Sequence, residues 1–509
     1  MEILHNLAFG FEHALTLQNL MYCAIGCAVG TLVGLLPGLG PLSTISLLLP
    51  MTYSIPTDGA LIMLAGIYYG AQYGDSVSAI TMKIPHASSI VACIDGYQMT
   101  RKGKTGLALF SAGVSSFIGG TVAIVVLSTL APALGEIAFL FGPSDYCALI
   151  LLGFLCVGFV TTGGHMINGL AMALVGVLLG SIGTDVNSGA RRFTLDLAFL
   201  ADGIGLISIA LGCFAIAEIA RNLDSRSEFT PFSGRIQLIP SWTEFKRIIP
   251  SALRGSAVGS FLGLLPGGGP TLAQFGAYAL EKRFSKHRAE IGSGAIEGVA
   301  GQAAADEAAA RTSFIPLMSI GIPENAVMAL MLAAFIVKGI QPGPNMIGQH
   351  PELFWGLVAS MWIGNCFLLV LNVPMVRYLL SVFKIPYSVL FPCILFFCCI
   401  GTFSVNNNLD DIYITAVFGL LGYVFLRLGL EAAPLILGFI LGPMLEENFR
   451  RALVISRGSF SIFVTRPISA SLLAITAAFL VWQISAYARQ ALARRETAEL
   501  DQPRVRPRG

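Results

Sequence analysis

The sequence predicts an all-α polytopic membrane protein: about ten to twelve transmembrane helices in two homologous halves, with broken or re-entrant helices among them. Composition is the first reason. Of 509 residues, 55% are hydrophobic and only 12% charged, with a mean hydropathy of +0.75, whereas soluble domains carry roughly 25% charged residues. The second is that apolar runs long enough to cross a ~30 Å hydrocarbon core, roughly 20 residues each, recur along the whole chain. The third is a duplication. Gly26-Cys27-Ala28-Val29-Gly30-Thr31-Leu32-Val33-Gly34-Leu35-Leu36-Pro37-Gly38-Leu39-Gly40-Pro41 returns 229 residues later as Gly255-Ser256-Ala257-Val258-Gly259-Ser260-Phe261-Leu262-Gly263-Leu264-Leu265-Pro266-Gly267-Gly268-Gly269-Pro270, with 11 of 16 positions identical.

Uninterrupted apolar runs occupy 106–131, 145–163, 165–183, 203–220, 353–376, 409–428 and 467–487. They lack the period-two alternation of an outer-membrane barrel. Other runs are interrupted by the 56 glycines and 25 prolines, which concentrate near corresponding positions of the two halves. The longest polar stretch between apolar blocks, Arg221 to about Lys246, reads as an extramembrane linker. The expected organisation is therefore a first transmembrane repeat at 1–220, a linker at 221–246, a second repeat at 247–488, and a basic, disordered cytoplasmic tail at 489–509. A weaker correspondence pairs Ile84-Pro85-His86 with Ile322-Pro323-Glu324 at an offset of 238, nine more than the first, which calls for a modest insertion.

The net charge of +2 leaves no nucleic-acid footprint. No Lys or Arg precedes Lys83, so no cleavable signal peptide is expected. Basic clusters at Arg101-Lys102-Gly103-Lys104, Lys282 to Arg288, Arg450-Arg451 and the C-terminal tail are candidate cytoplasmic segments by the positive-inside tendency. The ten cysteines show no CxxC or Cys/His metal spacing and read as small buried hydrophobes.

Both copies of the duplicated stretch end in Pro-Gly-x-Gly-Pro, which stops a helix where water cannot satisfy its open backbone groups. Such a break is best explained by a cavity. Pro37, Gly38, Gly40 and Pro41, with Pro266, Gly267, Gly268, Gly269 and Pro270, are expected to shape it. A half-helix starting after Pro41 or Pro270 would aim free N–H groups at an anion, with Ser43, Thr44 and Thr271 adding hydroxyls. The carbonyls upstream of each break suit a small cation. A purely structural hinge is the plainer alternative.

Past the first break, Tyr73, Asp75, Ser76 and Lys83 interrupt an otherwise apolar stretch. An ionisable group at membrane depth costs about 2.5 to 3.5 kcal/mol even on the mild insertion scale, so it normally faces a partner or a water path. An interfacial loop with solvated charges is the competing reading. The second half offers Glu297, Gln302, Asp306, Glu307 and Arg311; in a helix, Glu307 and Arg311 stand at i and i+4 and can pair. A solvated helix face is again the alternative. Enzyme motifs are missing. Gly103-Lys104-Thr105 resembles the end of a phosphate loop, but Gln98 stands where its first glycine belongs, and there is no His-Glu-x-x-His or Gly-x-Ser-x-Gly. No catalytic residue, cofactor or resident metal is expected.

Together, Gly34 to Pro41, Tyr68-Tyr69-Gly70-Ala71-Gln72-Tyr73-Gly74, Asp95 to Lys104, Leu264 to Pro270, Gly292 to Val299 and Gly339-Ile340-Gln341-Pro342-Gly343-Pro344 resemble the large membrane (TctA-type) subunit of the tripartite tricarboxylate transporter family. The resemblance implies a bacterial inner-membrane permease working with a small four-span membrane subunit and a periplasmic solute-binding protein. It implies secondary-active uptake of tricarboxylates or other organic carboxylates by symport with sodium or protons. The chain departs from the family pattern at His86 and Glu324, where glycine is usual after Ile-Pro, and at Gln302-Ala303 and Asp306-Glu307, where Pro-Glu and a paired asparagine are common. Asp75 replaces a glycine and Lys83 an asparagine. A passive anion channel and an intramembrane enzyme are the alternatives.

Overall fold

A computed structural model describes residues 2–36, 39–83, 89–160, 166–185, 188–224, 240–265, 269–381, 387–481 and 485. In chain order its helices are α1 (Glu2–Ala14), α2 (Leu17–Gly34), α3 (Pro41–Leu48), α4 (Thr57–Met82), α5 (Ile90–Arg101), α6 (Thr105–Ala138), α7 (Pro143–Val160) and α8 (Met166–Gly180). There follow α9 (Leu206–Ala210), which continues through a π-helical segment Leu211–Ile216 into α10 (Ala217–Asp224), and then α11 (Trp242–Leu262), α12 (Gly269–Phe284), α13 (Ile296–Thr312), α14 (Phe314–Ile320) and α15 (Ala326–Val337). The last are α16 (Met346–Gln349), α17 (Pro351–Asn372), α18 (Val376–Leu379), α19 (Tyr387–Asn406), α20 (Asp410–Arg427) and α21 (Ala433–Ile455), with short and apolar helices beyond. The β-structure among the described residues is one ribbon pairing Gly183–Thr184 with Arg191–Arg192.

The described residues are thus all-α apart from that ribbon, and each uninterrupted apolar run of the sequence contains a helix. Among the described residues, four helical stretches are long and apolar enough to cross a membrane: Leu17–Gly34, Thr105–Ala138, Leu206–Leu223 and Pro351–Asn372. Six shorter apolar helices accompany them. By contact, the chain separates into one unit of Met1–Leu140 with Cys156–Pro443, and another of Phe141–Leu155 with Met444–Gly509. In the second unit, Arg466 pairs with buried Asp145 at 3.2 Å, and Phe463 stacks on Phe449.

Two helix triples organise the larger unit. In the first, α2 runs up to the break, α3 and a 3-10 turn (Leu49–Thr52) return, and α4 rises alongside α2 in the same direction. A Cβ on Gly26, Gly30 or Gly34 would lie 2.4 Å from the carbonyl oxygen of Met63, Ile67 or Ala71. Only glycine allows that approach, the small-residue packing of helices in lipid. In the second triple, α11, α12 and α13 repeat the path, and Gly255, Gly259 and Gly263 would clash with the carbonyls of Gly301, Ala305 and Ala309 at 2.0, 2.3 and 2.6 Å. The glycines stand 229 residues apart and their partners 238 apart, so the nine extra residues lie in the returning arm, where α12 has 16 residues and α3 has 8.

The triples run in opposite directions. Tyr69 and Gln72 of α4 meet Arg311 and Asp306 of α13, so numbering rises along one helix as it falls along the other. An independent route agrees. α2 is parallel to α17 (Cys23 to Ser360 O, Cys27 to Gly364 O), α17 is antiparallel to α6 (Asn365 against Phe117, Asn372 against Gly113), and α6 is parallel to α13 (Ser111 to Ile296 O, Ser116 to Ala303 O).

Candidate functional site

The first lock on this arrangement is Asp95, buried on α5. Its Oδ1 accepts the backbone N–H groups of Gly292, Gly294 and Ala295 at 2.9, 2.6 and 2.9 Å, and its Oδ2 the Tyr278 hydroxyl at 2.9 Å. Ala295 is the N-cap of α13 and the two glycines belong to the segment leading into it, so the carboxylate sits at the helix N-terminus, where it also complements the helix dipole. Gly294 adopts φ +101°, and a Cβ on Gly298 would lie 2.1 Å from Asp95 Oδ2, so the Gly-rich segment is shaped to receive this carboxylate. Beside it Lys102 Nζ donates to Ser293 O, and Arg247 bridges Glu290 and Glu297 while His287 Nδ1 lies 2.8 Å from Glu297. The basic clusters at 101–104 and 282–288 therefore share one end of the molecule. Burial pushes the Glu297 carboxyl up, but the Arg247 hydrogen bonds and the nearby His287 outweigh it and hold Glu297 below its ordinary value.

Three turns further along, α13 carries a polar layer enclosed on all sides. Asp306, 1% exposed, accepts the Gln274 amide of α12 at 2.8 Å and the Gln72 amide of α4 at 3.3 Å, so one carboxylate joins both triples. Glu307 pairs with Arg311, as the i, i+4 spacing predicts. The guanidinium is fully buried, lies 4.4 Å from the Tyr69 ring centroid, and donates to Asn365 Oδ1 at 2.9 Å. Asn365 in turn donates to Phe117 O and Thr121 Oγ1 of α6. Among the described residues, Glu307 Oε1, Arg311 Nε, Gln72 Oε1 and Gln302 Nε2 are buried without a hydrogen-bond partner.

The layer lies level with the breaks: Gly34, the last residue of α2, packs on Ala71 and Gly74, and Gly263 at the end of α11 packs on Ala309 and Thr312. Glu324, 2% exposed, reaches the second break, where Oε2 accepts the N–H of Gly269 at the start of α12 at 3.4 Å and Oε1 accepts from Ser313 and Asn325. On the first side, the buried Asp75 of α4 accepts the Ser89 hydroxyl at 2.8 Å.

The expected site residues divide accordingly. Asp75, Asp306 and Glu307 lie in the buried layer, and Ser76 and Tyr73 beside it, the Tyr73 hydroxyl donating to Gly113 O at 3.4 Å. Gly40 caps α3 and Pro41 opens it; Ser43 is buried, and Thr44 spends its hydroxyl on Gly40 O. Gly269 and Pro270 open α12, with Thr271 half-buried behind them. Lys83 is not brought in: it ends α4 in the left-handed conformation, exposed, with its ammonium 5.8 Å from the Tyr97 ring centroid. Pro37, Gly38, Pro266, Gly267, Gly268 and His86 lie outside the described residues. Gln72, Gln274, Tyr69 and Asn365 were not anticipated from sequence. The available signal was a lone amide in an apolar helix, as with Asn365 in α17, but a single amide does not declare its partner.

Comparison with known proteins finds similarity along most of the chain. The family model described as the tripartite tricarboxylate transporter TctA family matches residues 20–437. A protein of Agrobacterium vitis, described as an uncharacterized 52.8 kDa protein in the TAR-I ttuC' 3' region, is 50% identical over 483 residues, 94% of this chain and 96% of its own length. A second from the same organism, an uncharacterized protein in the TAR-II ttuC' 3' region, is 57% identical over 217 residues, 43% of this chain and 90% of its own. No solved structure matches.

Proposed function

Because the chain belongs to the tripartite tricarboxylate transporter TctA family, we propose that it is the large permease subunit of a binding-protein-dependent transporter taking organic carboxylates up across the bacterial inner membrane. Membership of a tripartite family implies further subunits; the proposed ones are a small four-span membrane protein and a periplasmic solute-binding protein. The two triples are inverted repeats, and carriers built from inverted repeats hold their cargo near mid-membrane between discontinuous helices. The end of the molecule bearing the clusters at 101–104 and 282–288 faces the cytoplasm.

One observation carries this reading: α13 places Asp306, Glu307 and Arg311, all at most 1% exposed, between two oppositely directed broken triples. Polar groups at that depth are costly and are retained where a solute passes. The cargo carboxylate docks at the first break, at the N-terminus of α3 beside Gly40, Pro41 and Ser43, since a helix N-terminus with free amides attracts anions; at the second break Glu324 already accepts the Gly269 N–H, which leaves Thr271 beyond it.

Uptake into proteoliposomes, with both partner subunits supplied and a panel of labelled carboxylates under sodium or proton gradients, tests the proposal. Accumulation against a gradient is the expected result. Equilibration without accumulation would identify a passive channel, and no movement of any organic anion would reject transport altogether.

A further inference from the structure

The buried layer does not balance its charge. Asp306, Glu307 and Glu324 are at most 2% exposed, and the guanidinium of Arg311 is bonded to Glu307 alone of the three. Among the described residues, no Lys, Arg or His lies within salt-bridge distance of Asp306 or Glu324. A carboxylate left ionised and unpaired in a dry interior costs several kcal/mol, so such groups take up a positive charge. The candidates are a metal cation or a proton.

The partners choose between them. Asp306 is met by the amide N–H groups of Gln72 and Gln274, and Glu324 by the hydroxyl of Ser313, the amide of Asn325 and the backbone N–H of Gly269. Each presents a hydrogen and none an oxygen, whereas a sodium site in a broken-helix carrier is built from oxygens such as unwound carbonyls; such neutral donors ease the ionised form but bring no positive charge to offset its burial. The acceptor without a partner beside Asp306, Gln72 Oε1, suits the O–H of a protonated carboxyl.

We infer that Asp306 and Glu324 are the proton carriers of this protein, each taking one proton onto a carboxylate oxygen from water on one side and releasing it to the other as the site reopens. The inference rests on the permease reading and names its coupling ion. The titratable groups around the pair are Glu307 and Arg311 on α13 itself, and Tyr68 and Asp75 on α4. α6 has no titratable residue before Glu136, and on α11 Arg247 and Arg254 are engaged by Glu297, Glu290 and Glu281 at the loop end. Asp95 on α5 is tied to the segment that leads into α13, and α12 faces Asp306 with the amide of Gln274.

Two measurements decide it. Infrared titration of the full chain in lipid nanodiscs should show protonated-carboxyl bands at neutral pH, one lost in Asp306→Asn and one in Glu324→Gln. In proteoliposomes with the partner subunits and a clamped membrane potential, each coupled proton is worth about tenfold in accumulation per unit of pH gradient. Two carriers then give about a hundredfold in the wild type, about tenfold in either single variant, and no pH response in the double variant. Accumulation that follows sodium and ignores the pH gradient would overturn the inference. So would a wild-type spectrum with every carboxyl ionised at neutral pH, a result that needs no variant to fold. Absence of uptake under every gradient would instead remove the permease reading and the coupling role with it, leaving the infrared bands to decide whether the pair holds protons.

Discussion

The first and second triples use the same backbone contacts and fill them with different side chains. Glycines at 26, 30 and 34 in one, and at 255, 259 and 263 in the other, bring a front helix against the carbonyls of a back helix. At the register those contacts define, Tyr69 and Tyr73 of α4 correspond to Glu307 and Arg311 of α13. Aromatic rings on one side thus answer an ion pair on the other, and where the helices meet, the guanidinium lies over Tyr69. A second contrast follows the back helices outward. Asp75 on α4 accepts from Ser89 beyond the helix end, whereas Ser313 at the end of α13 donates to Glu324, so acid and hydroxyl have exchanged places. The scaffold is constrained by sterics that tolerate nothing but glycine; the filling is constrained only by hydrogen bonding and charge, and it differs.

The comparison breaks most sharply at the ion pair. Replacing Arg311 by Met leaves Glu307 buried without its cation, and breaking a buried pair costs about 3 to 5 kcal/mol. The double replacement Arg311→Met with Glu307→Met removes both charges and should recover most of that loss, because a buried pair is often no more stable than an apolar one of similar volume. Thermal unfolding of the purified protein in detergent reads both. Equal stability of the Arg311→Met variant and the wild type would mean the pair is not closed as described.

Next come the glycines, where the triples should respond alike. Gly30→Ala puts a methyl 2.4 Å from Ile67 O, and Gly259→Ala puts one 2.3 Å from Ala305 O. Each forces two backbones apart, a cost on the order of 3 kcal/mol. Both variants should elute as aggregated or strongly destabilised protein on size exclusion. If one triple tolerated the change and the other did not, the equivalence of the two scaffolds would be wrong.

These contacts also explain what could be read from the sequence. The glycines and the break were visible because identity at a 229-residue offset needs no partner to be recognised. So was the Glu307–Arg311 pair, since i, i+4 spacing is local. The joining of Gln72 and Gln274 at Asp306 was not: each is one amide in its own helix, 202 residues apart, and only the opposed directions of the triples bring them together. Lys83 misled for the converse reason. It follows an apolar helix directly, yet the left-handed turn there carries its side chain out to the surface.

The start of α4 at Pro56 has no side-chain cap, whereas the α13 entrance is held by Asp95, which tests that difference. Asp95→Ala removes a charged acceptor from three backbone N–H groups and the Tyr278 hydroxyl, and a charge-assisted bond is worth about 1.5 to 3 kcal/mol. A loss of about 2 kcal/mol in thermal unfolding is expected. The neighbouring Glu297 gives the pH signature. Its folded value lies below its unfolded one, so its stabilisation is fully present above the unfolded value and fades as pH falls through the folded value. Glu297→Gln should therefore unfold with a flatter acid limb than the wild type.

The smallest contrast is at the front helices, whose N-termini are capped unequally. α11 opens with a capping box: Ser241 Oγ accepts the Glu244 N–H at 3.3 Å, and the Glu244 carboxylate accepts the Ser241 N–H at 2.8 Å. α2 opens on Thr16 alone, whose hydroxyl accepts the Asn19 N–H at 3.4 Å. Two reciprocal bonds satisfy two open donors where one long bond satisfies one. Ser241→Ala should then cost about 1 kcal/mol, and Thr16→Ala a fraction of that. Hydrogen exchange at the first turn of each helix measures the difference locally, where global melting would blur it. Faster exchange at Glu244 in the Ser241 variant, with a smaller change at Asn19 in the Thr16 variant, is the expected order. The reverse order would mean that the neighbouring carbonyl of His13, which accepts from both Thr16 and Asn19, holds the α2 entrance more firmly than the cap itself.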